Sequence, residues 1–293
     1  MCFNPFFFMQ DIIYWTDSEN EDTGEKNKMK KAVFFDIDGT LWNQQMQIPE
    51  STVSAVQQLR ENGHYAFICS GRSRANIRDQ RLLGIGFDGV IASCGTHIDF
   101  HGKKEYEKLF SAKQTAHVIE VLRKYQMPMV LEGPDYIYVD EEDFPDDPYV
   151  LYLRRELGEH LKTIPMHAKE IVINKLSCSI KAADIAQVKK ELGTEFDMIV
   201  HHDGGIAEIV PAGYSKATGI EKVCEIFNIL HENTYAFGDS ANDLEMLSYV
   251  EHSVAMGNGT KEAKEAAEYV TDNIDSDGIL KGLLHYGLIE SLH

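Results

Sequence analysis

Short apolar runs that stop at an acidic or small residue recur in the first hundred positions and again near the end of the chain. Ala32-Val33-Phe34-Phe35 stops at Asp36, Tyr65-Ala66-Phe67-Ile68-Cys69 at Ser70-Gly71, and Gly89-Val90-Ile91-Ala92-Ser93 at Cys94-Gly95. Tyr235-Ala236-Phe237-Gly238 stops at Asp239, and Ser253-Val254-Ala255-Met256 runs into Gly257-Asn258-Gly259. Runs of this length with no polar alternation predict strands buried on both faces, as in a parallel sheet covered by helices. A helix is predicted between the first two runs. It starts near Glu50 or Ser51 after Pro49, carries Val53, Val56 and Leu59 on one stripe, and ends at Gly63. Ile220, Val223, Ile226 and Phe227 mark another, and residues 261–268 an Ala-rich third. In an open parallel sheet the carboxyl ends of the strands share one edge, so Asp36 and Ser70 should flank one crevice.

From about Ile98 the pattern changes. Residues 111–125 predict an amphipathic helix, and Met129–Glu132 and Tyr136–Val139 flank Gly133-Pro134-Asp135 as a hairpin. A helix near 149–159, a strand at 175–180, a helix at 184–192 and strands at 196–200 and 206–210 follow. The acidic, proline-bearing stretch 140–148 reads as a solvated loop, because the ligand spacing of a calcium loop is absent. His201-His202-Asp203-Gly204-Gly205 reads as a turn: adjacent histidines on extended chain point in opposite directions and do not share a metal. The division this predicts is a core of residues 29–97 and 210–293 interrupted by an α/β unit of residues 98–209.

A chain of 293 residues can hold two such units. With 28 basic against 47 acidic side chains the net charge is −19, which argues against nucleic acid and anionic membrane as partners. The five cysteines, Cys2, Cys69, Cys94, Cys178 and Cys224, are scattered and odd in number, so they read as free thiols in a reducing cytoplasm. No apolar run reaches the length of a membrane-crossing helix. Aromatic residues crowd Met1–Trp15 and polar ones follow, without the positive start of a secretory signal. Residues 1–28 are therefore expected to be a poorly ordered extension ahead of Met29.

The chemistry concentrates where the apolar runs stop. Asp36 and Asp38 stand two apart in Asp36-Ile37-Asp38-Gly39-Thr40-Leu41, and Asp239 and Asp243 four apart in Gly238-Asp239-Ser240-Ala241-Asn242-Asp243. Carboxylates held so close repel unless a divalent cation neutralises them or one keeps a proton. The Ser70 hydroxyl and the backbone N–H groups after it suit phosphate oxygens. Taken singly these are weak signals, since Asp-x-Asp-Gly is also a turn, Ser70-Gly71 a strand-to-helix turn, and Lys216 a solvated helix-start lysine.

Together, and in this order, they resemble the haloacid dehalogenase superfamily, in its Cof-type branch, subclass IIB. The likeness rests on Asp36–Leu41, Ser70-Gly71, Glu208-Ile209-Val210-Pro211-Ala212-Gly213-Tyr214-Ser215-Lys216 and Gly238–Asp243, and runs from Met29 to about Gly287. Cys94 departs from it, standing where those proteins commonly have Asn. The resemblance implies an α/β fold, a Rossmann-like core with a parallel sheet plus an inserted α/β cap of the C2B type. It implies a Mg²⁺-dependent hydrolase of small phosphomonoesters, often sugar phosphates. Asp36 would be the nucleophile that forms an aspartyl-phosphate, and Asp38 the general acid and base, with a pKa raised by its acidic neighbours. Mg²⁺ would be held by Asp36, the backbone carbonyl of Asp38 and Asp239, with Asp243 holding a water or orienting Lys216. Ser70, Gly71, Lys216 and Asn242 would bind the phosphoryl oxygens, while Arg72 and Arg74 would be structural or at the rim. Two rivals stay open: a phosphotransferase or phosphomutase on the same core, and a non-enzymatic sensor of a phosphometabolite.

Overall fold

Val33 and Phe35 face one hydrophobic core and Ala32 and Phe34 another, and all four are fully buried. A strand with two buried faces can sit only inside a sheet covered on both sides. The computed structural model describes residues 30–144, 146, 148–180, 184–200 and 205–290. Residues 1–28, the predicted turn at His201–Gly204, and Pro145 and Asp147 of the acidic loop lie outside the described residues.

The chain lays down β1 (Ala32–Phe35), β2 (Tyr65–Cys69), β3 (Gly89–Ala92), β4 (His97–Phe100) and β5 (Lys103–Glu107). It then builds a second sheet from β6 (Met129–Glu132), β7 (Ile137–Val139), β8 (Leu161–Lys162), β9 (Lys175–Ser179), β10 (Phe196–Val200) and β11 (Ile206–Pro211). Finally it returns to the first with β12 (Thr234–Gly238), β13 (His252–Ala255) and β14 (Tyr269–Val270). Among the described residues the first sheet runs β14-β13-β12-β1-β2-β3-β4-β5 and the second β10-β11-β9-β6-β7-β8. Strands β14 through β3 are mutually parallel. The helices Glu50–Glu61 and Gly278–His285 cover one face of this sheet, and Lys216–Phe227 and Leu244–Tyr249 the other.

The expected boundary at residue 98 falls inside β4. Both β4 and β5 pair antiparallel onto the first sheet, so sheet membership changes only after Glu107, and at the far side β11 stays in the second sheet through Pro211. The hairpin escapes a reading by hydrophobic pattern because β5, Lys103-Lys104-Glu105-Tyr106-Glu107, is a charged edge strand whose one apolar side chain, Tyr106, packs on the core. Its approach is a left-handed turn, with φ of 51°, 52° and 86° at Ser93, Cys94 and Gly95.

One face of the second sheet packs on the helices Ala112–Lys124 and Ile185–Leu192 through Met129, Leu131, Leu176, Cys178, Ala207 and Ile209. Alternation sends Val130, Glu132, Lys175, Ser177 and Glu208 to the opposite face. There Val130 meets the helix Pro148–Leu157 and Ala75 of the first unit. The polar side of the second sheet thus looks toward the carboxyl ends of β1, β2 and β12. The four described cysteines are free thiols, three of them buried.

Candidate functional site

Asp36 leaves β1 with its N–H still donating to Phe237 O at 3.0 Å. The chain then curls, as the N–H groups of Thr40, Leu41 and Trp42 all turn back to Ile37 O. Gly39 permits the curl at φ 90°, where any Cβ would run into the Asp239 carboxylate. Asn258 pins the same turn by donating to Gly39 O at 2.7 Å while accepting from Ile274 N.

From β12 comes Asp239, and one tight turn later Asp243, whose Oδ2 accepts from the N–H groups of Asp239 and Ser240. Gly238 has to be small, because a Cβ there would stand 2.7 Å from that of Asp243. Lys216 opens the helix Lys216–Phe227, capped by Ser215, whose hydroxyl and the Thr218 side chain close a capping box. The helix start packs so tightly on the 93–95 turn that a Cβ on Gly95 would strike Ser215 O.

These elements bring buried groups face to face. Lys216 Nζ lies 2.5 Å from Asp36 Oδ1 and 2.6 Å from Asp243 Oδ1. Asp36, Asp239 and Asp243 each offer a carboxylate oxygen, all within 4.8 Å of one another. Burial pushes Asp36 well above the usual carboxylate range in spite of Lys216, and the surrounding acids add to it. Burial and then Asp243 push Asp239 up to about 7, against a bond from the Thr40 hydroxyl. Burial works against the charge on Lys216, but Asp243 and Asp36 hold its pKa far above the ordinary value. When ionised, the three carboxylates outnumber the lysine by two charges, the charge of one divalent cation. An all-oxygen donor set suits a hard cation such as Mg²⁺, so these residues fit the metal expected from the sequence.

Asp38 behaves differently from its neighbour. Its side chain is about half exposed, lies outside the triad, and is gripped by Arg72 through two 2.7 Å bonds while Trp42 Nε1 donates to it at 2.9 Å. Crowding by the protein pushes this carboxyl up, but the Arg72 bonds and charge outweigh it and hold Asp38 below the usual range. The expectation of a raised pKa is overturned: the cation beside Asp38 is nearer than the acids. Arg72 also lies over the Trp42 ring at 5.0 Å, and no spacing signal pointed to Trp42.

Ser70 is buried at the end of β2, its Oγ accepting from Arg72 N at 3.1 Å. Gly71 sits beside Glu208 and Cys94, whose thiol donates to Glu208 at 3.4 Å. Asn242 shares the Asp239–Asp243 turn but is exposed, its Oδ1 accepting from the Ser240 hydroxyl. Arg74 pairs with Asp99. The sequence reading missed Lys175, a buried cation from β9 that donates to Gly71 O at 2.9 Å. Its only signal was a lysine opening a short strand, Lys175-Leu176-Ser177-Cys178-Ser179.

Residues 33–283 match the family model of haloacid dehalogenase-like hydrolases. The chain is 33% identical over 264 residues to YkrA of Bacillus subtilis, a protein provisionally named a phosphatase, covering 89% of this chain and 99% of that one. It is 28% identical over 275 residues to the 5-amino-6-(5-phospho-D-ribitylamino)uracil phosphatase YitU of the same organism, covering 87% and 96%. Among solved structures it resembles the subclass IIB sugar phosphatase BT4131 with a TM-score of 0.74 and 27% identity, over 89% of this chain and all of the other.

Proposed function

The chain belongs to the haloacid dehalogenase-like hydrolases and is a phosphatase of that family, and from that premise we propose that it hydrolyses small phosphomonoesters through an aspartyl-phosphate on Asp36. The observation that carries the reading is the buried contact of Asp36 with Lys216 inside the carboxylate triad. An anion meant to attack a phosphate must be stripped of water and shielded from repulsion, and that contact does both.

Asp36 Oδ attacks phosphorus as the bond to the leaving oxygen breaks, and the leaving oxygen takes a proton from Asp38. Arg72 must loosen its grip for Asp38 to carry that proton. Water then attacks the acyl-phosphate, Asp38 takes a proton back, and phosphate departs with Asp36 regenerated. Lys216, oriented by Asp243, stabilises charge on the phosphoryl oxygens, as do the Ser70 hydroxyl and Gly71 N–H, with Asn242 at the outer edge. Asp36, Asp239 and the Asp38 carbonyl would hold Mg²⁺, which would supply charge neutralisation between nucleophile and phosphate. Asp243 accepts four hydrogen bonds, and through them it holds Lys216 and the turn.

The second sheet and its helices act as the cap that closes over the substrate. Sugar or polyol phosphates are the substrate class we favour, since the names of two relatives denote a sugar phosphatase and a phosphatase of a phosphoribityl compound. Asp36→Asn should abolish release of phosphate from p-nitrophenyl phosphate while leaving the circular dichroism spectrum unchanged; turnover near the wild-type rate rejects the nucleophile. A panel of phosphorylated sugars and polyols assayed with the wild-type protein tests the substrate class.

A further inference from the structure

Lys175 is 2% exposed, and its ammonium has three partners. Two belong to its own sheet, Glu208 Oε1 at 2.7 Å and Glu132 Oε1 at 3.4 Å. The third, Gly71 O at 2.9 Å, belongs to the first unit. That carbonyl and the Arg72 N–H are two ends of one rigid peptide plane. Lys175 draws the oxygen one way, and the N–H at the other end donates to Ser70 Oγ at 3.1 Å. With its oxygen accepting from Arg72 N, the Ser70 hydroxyl keeps its proton to give to an incoming oxygen.

We propose that Lys175 is a positioning residue for phosphoryl transfer: from the second sheet it locks the Gly71–Arg72 peptide and, through it, the Ser70 hydroxyl that grips the phosphoryl group. The inference rests on the reading of Ser70 given above. Net stability is a poor account of this cation, because apolar side chains of the same volume hold a buried site about as well as an ion cluster does. They cannot hold a carbonyl. Glu132 is itself held by the Ser177 hydroxyl at 2.7 Å and Glu208 by the Cys94 thiol, so the ammonium is aimed from both sides. The phosphate loop is therefore set only while the second unit is docked, and docking and competence become one event.

Two variants test this, Lys175→Ala and the charge-balanced pair Lys175→Met with Glu208→Gln, each checked for folding by circular dichroism and thermal melting. Both should lose kcat on p-nitrophenyl phosphate by about 10- to 100-fold with KM little changed, the scale on which a misplaced group slows a reaction. Ethylammonium should restore kcat of Lys175→Ala in a saturable manner, which a purely structural role does not predict. In a Ser70→Ala background the Lys175 substitution should cost no more than about twofold further, since the two act as one unit. Wild-type kcat in a folded variant, failure of both variants to fold, absence of rescue, or an undiminished loss on top of Ser70→Ala overturns the proposal. Normal turnover by Ser70→Ala alone removes the phosphate-loop reading itself, an outcome separate from simple additivity.

Discussion

Asp36 and Asp38 stand two residues apart and live in opposite environments. One is buried against a lysine and kept high by desolvation; the other is half exposed and kept low by an arginine. Removing the arginine should reverse the second effect, so in Arg72→Ala the Asp38 carboxyl should titrate at higher pH, followed by carboxyl-carbon NMR; an unmoved midpoint would show that Arg72 does not set it. Gly39 is as constrained as either acid, by its φ of 90° and by the Asp239 carboxylate where a Cβ would go. Gly39→Ala should cost about 1–3 kcal/mol in urea unfolding and weaken Mg²⁺ retention together with stability. The motif Asp-x-Asp-Gly was legible because residue type and spacing carry it. The Arg72 grip was not, because it joins two strand ends far apart in the chain.

At the scale of elements, each buried run became the strand its pattern predicted, within a residue or two. Continuous apolar sequence admits few alternatives when a helix must cover each face. The edges were harder. Strand β5 has neighbours on one side only and can afford charge, and the tight 93–95 turn makes sense only against the start of the helix Lys216–Phe227. That helix start is what aims Lys216, and Ser215 caps it. Ser215→Ala should lower stability by about 1 kcal/mol in urea titration and lower kcat as well. A stability loss with full activity would mean that Lys216 is held from elsewhere.

For the whole molecule the acidic triad links metal, pH and stability. Asp36 and Asp239 have folded-state pKa values above those of ordinary carboxylates, Asp239 at about 7. A raised carboxylate contributes stability fully below its unfolded pKa and loses it as pH rises through the folded one. Metal-stripped protein should therefore melt at a progressively lower temperature, relative to Asp239→Asn, as pH is raised through the window of about 4 to 7 set by the ordinary and the folded-state values of Asp239. Mg²⁺ should recover the melting temperature at pH 8 and do little at pH 5.5, where protons compete for the same oxygens. A flat difference between the two proteins would disconnect the triad from stability. Activity should vanish in EDTA and return with Mg²⁺. Among the described residues no helix is long and apolar enough to cross a membrane.

Hydrophobic runs and the acids that end them were determined by the sequence alone: they dictated a parallel sheet, the side on which its chemistry gathers, and the identity of Asp36, Asp239 and Asp243 as candidates, while Lys216 was singled out by the likeness to the family. That much is local, since strand burial and carboxylate spacing are properties of short stretches. Tertiary structure decided the rest. It set Asp38 against Arg72 and Trp42, kept β4 and β5 in the first sheet, and carried Lys175 from a strand about a hundred residues downstream onto the Gly71 carbonyl. Such pairings depend on which elements come to lie side by side, and no periodicity or spacing along one chain encodes that.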